Sequence, residues 1–312
     1  MKRRHRHTAV IAVLMLLALT SCRTGSDAAL GQRPTAYDPV TTDPPVRDSA
    51  HPPGLAELTI QSAGERLNGI FYLPEGVGPH PVVVLLHGNP GNERNLDLAQ
   101  SLRRAGYAVL FFNYRGSWGS GGSFSRTHAL EDVRAALAFL RLPQTAAQFG
   151  TSPARVALLG HSMGGWLALL TSAVEPDVRC VAAVDFSNTG TQGRQLRVDA
   201  AAESAAIAEN DGLTAPGGPY RTEGGGAALV AEMEANAEEW DVVRWAPELR
   251  QRQMLLIAAV NRADQDALVR ALGGPSSAHI TAYAWDTDHA FSDRRIALAH
   301  LLVQWLRRDC RL

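Results

Sequence analysis

The chain repeatedly alternates short, wholly apolar runs with longer amphipathic ones. Pro81–His87, Tyr107–Phe112 and Val156–Leu159 have almost no polar residue to turn toward water. Runs of this kind suit strands buried on both faces, as in a parallel sheet covered by helices. Cys180–Phe186, Gln253–Val260 and His279–Trp285 read as further strands. Between them lie helical stretches at Leu96–Ala105, His128–Arg141, Met163–Ala173 and Ser292–Arg308. Strands separated by helices predict right-handed crossovers and a mostly parallel sheet. Ahead of these, Leu55–Gln61 and Asn68–Leu73 flank the turn Ser62–Glu65 and read as a β-hairpin. The expected fold is α/β, a mostly parallel sheet flanked by helices.

Residues 187–249 interrupt the alternation. They hold helical runs near Val198–Glu209 and Ala227–Trp240, separated by a loop containing Gly217-Gly218-Pro219 and Gly224-Gly225-Gly226. A crossover needs far fewer residues, so this segment reads as a helical lid inserted at the C-terminal edge of the sheet. Leu229, Met233, Trp240 and Trp245 either roof a pocket or pack the insertion onto the body. The Gly-rich centre suggests a mobile lid.

The N-terminus reads as targeting sequence. Lys2, Arg3, Arg4 and Arg6 precede the apolar run Ala9–Leu19, which is too short for a permanent span. Leu19-Thr20-Ser21-Cys22 resembles a bacterial lipobox, which implies lipidation of Cys22 and attachment to the cell envelope outside the cytoplasm by acyl chains. The organisation expected is a signal peptide over 1–22, a Pro-rich spacer over 23–54 and the α/β domain over 55–312. Removing the four basic residues takes the net charge from −1 to about −5, and nothing points to a nucleic-acid partner. Cys180 and Cys310 are left open between free thiols and a bridge, and their spacing with histidine matches no zinc pattern.

Gly160-His161-Ser162-Met163-Gly164 fits the nucleophile-elbow pattern Gly-x-Ser-x-Gly, and its context is right: a buried strand before it and a helix after it. A serine hydroxyl needs a base to take its proton. His289 lies in the loop between the last strand and last helix, at the edge where open α/β sheets bind ligands. The other histidines fall in the leader, a turn, strands or helices, and His161 sits beside Ser162 at a turn where neighbours point apart. The histidine needs a carboxylate to orient it. Asp264, after the strand Gln253–Val260, is favoured, with Asp266 and Asp185 as alternatives; Asp286 and Asp288 are too close to His289 in sequence. An oxyanion needs two backbone donors, expected from Met163 and from Asn89 in His87-Gly-Asn-Pro-Gly91.

The order Ser162, Asp264, His289 resembles the α/β-hydrolase superfamily from about Leu55 to the C-terminus. His87-Gly-Asn-Pro-Gly91, Asn113-Tyr-Arg-Gly116 and Asp288-His-Ala-Phe291 are similar to the prolyl-oligopeptidase-like and dienelactone-hydrolase-like branch. Dienelactone hydrolases carry cysteine at the elbow, where this chain has serine; prolyl oligopeptidases carry a propeller domain, where this chain has a short linker and hairpin. The resemblance implies a serine hydrolase acting on a small-molecule ester or short peptide, with no metal or organic cofactor. A lipid-anchored binding protein on a non-catalytic hydrolase fold is the reading from a different class.

Overall fold

The computed structural model describes residues 37–312 except 275 and 276. Residues 1–36, which include the stretch expected to be a signal peptide, Cys22 and the first part of the expected spacer, lie outside the described residues. From residue 37 to 53 the spacer forms turns without helix or strand, and it is held against the body. Arg104 donates from Nε to the Pro39 carbonyl at 2.6 Å, and Gly76 N–H donates to the His51 carbonyl at 3.0 Å.

Eight strands form one sheet: β1 (Gly54–Ser62), β2 (Glu65–Leu73), β3 (His80–Leu86), β4 (Ala108–Phe112), β5 (Thr151–His161), β6 (Cys180–Val184), β7 (Gln253–Ala258) and β8 (Ile280–Ala284). Their order is β1-β2-β4-β3-β5-β6-β7-β8; β1 and β2 run antiparallel, and β4 through β8 with β3 are parallel. The wholly apolar runs are the central strands, buried on both faces. The hairpin turns at Ala63 and Gly64, both at positive φ, the backbone that matches the twist of paired strands.

Helices α1 (Leu96–Arg104), α2 (Arg126–Arg141), α3 (Pro143–Phe149) and α4 (Met163–Val174) follow the early strands. The insertion supplies α5 (Thr189–Leu196), α6 (Ala200–Thr214), α7 (Gly225–Ala235), a 3₁₀ turn at Val242–Trp245 and α8 (Ala246–Leu249). Then come α9 (Arg262–Ala271) and α10 (Arg295–Trp305). One core lies under α2, α4 and α9, the other under α1 and α10.

Leu229, Met233 and Trp240 settle into the first core, and Trp166 Nε1 donates to the Trp240 carbonyl at 2.8 Å. These side chains therefore pack the insertion onto α4. The Gly-rich segment is also tied down. Trp118 N–H donates to Pro219, Arg221 N–H to Gly116, and the Glu232 carboxylate receives the Arg126 and Thr127 N–H groups that open α2. Cys180 and Cys310 are bridged, with S–S 2.03 Å, so β6 is stapled to the C-terminal tail and the free-thiol alternative is set aside.

Candidate active site

Ser162 sits between β5 and α4 with φ 58° and ψ −126°, a strained backbone for a residue with a side chain. The tightness of the turn explains the flanking glycines: a Cβ on Gly160 would lie 1.9 Å from the Gly164 carbonyl oxygen. The turn is locked to the sheet by Ser162 N–H, which donates to the Val184 carbonyl at 2.9 Å. That bond places the end of β6 beside the serine, and the next residue is Asp185.

The carboxylate against His289 is Asp185, not Asp264. His289 Nδ1–H donates to Asp185 Oδ2 at 2.5 Å. Asp185 Oδ1 also accepts the N–H groups of Ala259 at 2.8 Å and Asn261 at 2.9 Å. Burial alone would raise this carboxyl; the bonds from His289, Ala259 and Asn261 outweigh it and hold the pKa below its ordinary value. Asp185 is therefore an ionised acceptor fixed by the backbone after β7. Asp264 stands in the first turn of α9, and its carboxylate receives the Asn188 N–H at 2.8 Å. It braces the loop entering the insertion, and burial raises its pKa. Asp266 is exposed on α9.

With Nδ1–H committed to Asp185, Nε2 is the ring nitrogen of His289 left to take a proton, as a base requires. Its loop is held by His161, which points away from Ser162 as expected but turns toward His289. His161 Nε2–H donates to the His289 carbonyl at 2.7 Å, and the two rings lie 4.6 Å apart. Burial, then the neighbouring His289, lowers the His161 pKa to about 4, so His161 stays neutral beside it. The only sequence signal for this role is adjacency to Ser162.

The loop after β3 lies against the serine. A Cβ on Gly88 would be 2.8 Å from the Ser162 Cβ, which brings the Gly88–Asn89 segment to the nucleophile. Aromatic residues hold this loop. Tyr114 Oη–H donates to the His87 carbonyl at 3.0 Å, Trp118 Nε1–H to the Pro90 carbonyl at 2.7 Å, and Tyr220 Oη–H to Asn89 Oδ1 at 2.6 Å. Asn89 thus uses its side chain for positioning. Met163 opens α4, where the first N–H groups have no intrahelical partner and the helix dipole favours an anion. His87, fully buried beneath the loop, is held near pKa 4 by burial.

The fold and this arrangement define an α/β hydrolase, and residues 83–312 match the alpha/beta hydrolase family. The chain belongs to that family. It is 30% identical over 163 residues to the uncharacterized protein Rv2307c of Mycobacterium tuberculosis, covering 52% of this chain and 56% of that one. It is 31% identical over 107 residues to YfhR of Escherichia coli, covering 33% and 36%. The chain thus spans about half the length, or less, of these curated relatives. Among solved structures, the Pyrococcus furiosus esterase Pf2001 aligns with TM-score 0.56 at 16% identity, over 86% of this chain and 99% of that one. Brefeldin A esterase, a bacterial homologue of human hormone sensitive lipase, aligns with TM-score 0.58 at 20% identity, over 88% and 81%. At such identities the likeness is one of fold.

Proposed function

We propose that this protein is a serine hydrolase that cleaves carboxylic esters through an acyl-enzyme on Ser162. The Ser162 hydroxyl attacks the ester carbonyl while His289 Nε2 takes its proton. Asp185 holds the imidazole and stabilises the imidazolium. The oxyanion is received by the N–H groups of Asn89 and Met163. His289 then protonates the leaving alcohol, and water admitted in its place releases the acid by the same route. The observation that carries this reading is the pairing of His289 with the buried Asp185 carboxylate beside a serine in strained, elbow-type backbone.

A fluorophosphonate probe should label the folded protein and fail to label Ser162→Ala; no labelling of the folded wild type would sink the assignment. Aryl esters should turn over faster than aminoacyl anilides, and the reverse ranking would move the protein to the peptidase side of its prolyl-oligopeptidase-like resemblance. We further propose, from the Leu19–Cys22 sequence, that the body is tethered outside the cytoplasm by lipid on Cys22. Labelled fatty acid should enter the wild type and not Cys22→Ser.

A further inference from the structure

The parallel strands give the molecule two unlike ends. Ser162, Asp185 and the His289 loop follow strand C-termini. The opposite end gathers strand N-termini, helix C-termini and the described part of the spacer. Its segments are 37–53, 74–79, 103–107, 141–155, 174–180, 248–253, 270–274, 277–280 and 306–312. Together they hold 12 arginines and 8 acidic residues, whereas the rest of 37–312 holds 12 arginines and 22 acidic residues. The body is thus basic at one end and strongly acidic over the remainder, which bears the insertion and Ser162.

Two further features lie at the basic end. Val46 and Val77 are 80% and 74% exposed, on segments joined by Gly76 N–H to the His51 carbonyl and by Asp48 N–H to the Glu75 carboxylate. Between the spacer and the C-terminus of α1 is a cavity of about 450 Å³, lined by Tyr37, Arg47, Arg103 and Arg104 with Asp43 and Glu75. Among the described residues, Arg103 Nε is buried there without a hydrogen-bond partner. The chain enters this end at Tyr37, 15 residues after Cys22, a reach of at most about 50 Å.

We propose that the end opposite Ser162 docks on an anionic phospholipid bilayer, with a lipid phosphate received by Arg47, Arg103 and Arg104 and with Val46 and Val77 at the interface. Basic residues near an anionic leaflet are drawn to it, and an acidic far end is pushed away, so one orientation is selected. Ser162 then faces outward from the bilayer. The interaction adds to an acyl tether and does not require one.

The test uses the chain from Arg23, which lacks Cys22 and keeps every described residue. It is sedimented with vesicles of phosphatidylglycerol and phosphatidylcholine, or of phosphatidylcholine alone. Binding is expected only with the anionic lipid, and it should weaken as salt rises from 50 to 300 mM. Arg307→Glu with Arg308→Glu, at exposed positions, should weaken partitioning by about 25-fold or more at unchanged ester turnover in solution. Arg47→Glu with Arg103→Glu should do the same; if that pair fails to fold, the Arg307 and Arg308 pair decides. Equal binding to both vesicle types, no binding at 50 mM salt, or charge reversals that leave partitioning unchanged would each overturn the proposal. Arg-dependent binding to the anionic vesicles supports it even if Cys22 proves not to be lipidated.

Discussion

Replacing Asp185 by Asn tests the site at its most specific point. Oδ1 of Asp185 accepts from Ala259 and Asn261, while Oδ2 faces His289 Nδ1. An asparagine can keep the backbone bonds only by placing its oxygen at Oδ1, which puts an NH₂ group against His289. Nδ1 must then accept, the imidazole proton moves to Nε2, and the atom facing the serine can no longer act as a base. Loss of this orientation costs about 10⁴-fold in kcat in serine triads, or about 5 kcal/mol at ~1.4 kcal/mol per decade. The fold should survive, because the amide is isosteric, with a loss of about 1–3 kcal/mol from weakened charge-assisted bonds. Asp264→Asn, whose side chain among the described residues hydrogen-bonds only the Asn188 N–H, should keep kcat within about threefold. Hydrolysis of a p-nitrophenyl ester, with the thermal midpoint of each variant as control, measures both. A folded Asp185→Asn within tenfold of wild type, or a crippled Asp264→Asn, would refute this assignment of the acid.

Removing the His161 ring in His161→Ala should lower kcat by about 10–100-fold, since the His289 loop loses its fixed carbonyl, and His161→Gln, which retains a donor, should recover part of it; equal losses in the two variants would make the role one of packing alone. His87 and His161, both held near pKa 4 against an ordinary 6.5, bind protons more weakly folded than unfolded, so their stabilising contribution is complete above pH 6.5 and is lost as pH falls toward 4, by up to ~3 kcal/mol each. Urea midpoints at pH 7, 6, 5 and 4 should fall through that window, less steeply in His161→Gln, and a flat profile from 7 to 5 would contradict it. Paired Cys180→Ser and Cys310→Ser should cost about 2–4 kcal/mol, read as a lower thermal midpoint that the wild type matches under reductant.

The strands were legible because a run such as Val82–Leu86 has no face to show to water, and the elbow because Gly160–Gly164 falls where a buried strand gives way to a helix. What stayed hidden depends on how elements meet. Pro143 reads as the end of a helix, yet it also starts one, since proline suits a first turn. Asp185 and Asp264 both follow strand ends at the same edge of the sheet; which one turns inward is set by the Ala259 and Asn261 N–H groups, which converge on Asp185. Cys180 and Cys310 are 130 residues apart, and no local spacing brings them together. Tyr220, carried on the insertion, reaches Asn89 across 131 residues of chain.

The bridge from Cys180 to Cys310 also divides the machinery covalently. Ser162 lies outside the closed loop, whereas Asp185, the whole insertion and His289 lie inside it. A protease that cuts anywhere within the insertion therefore yields two fragments that remain one molecule. Its pieces would migrate together without reductant and separate only with it, and the histidine and its carboxylate would stay tethered to the same sheet as the serine after the backbone between them is severed.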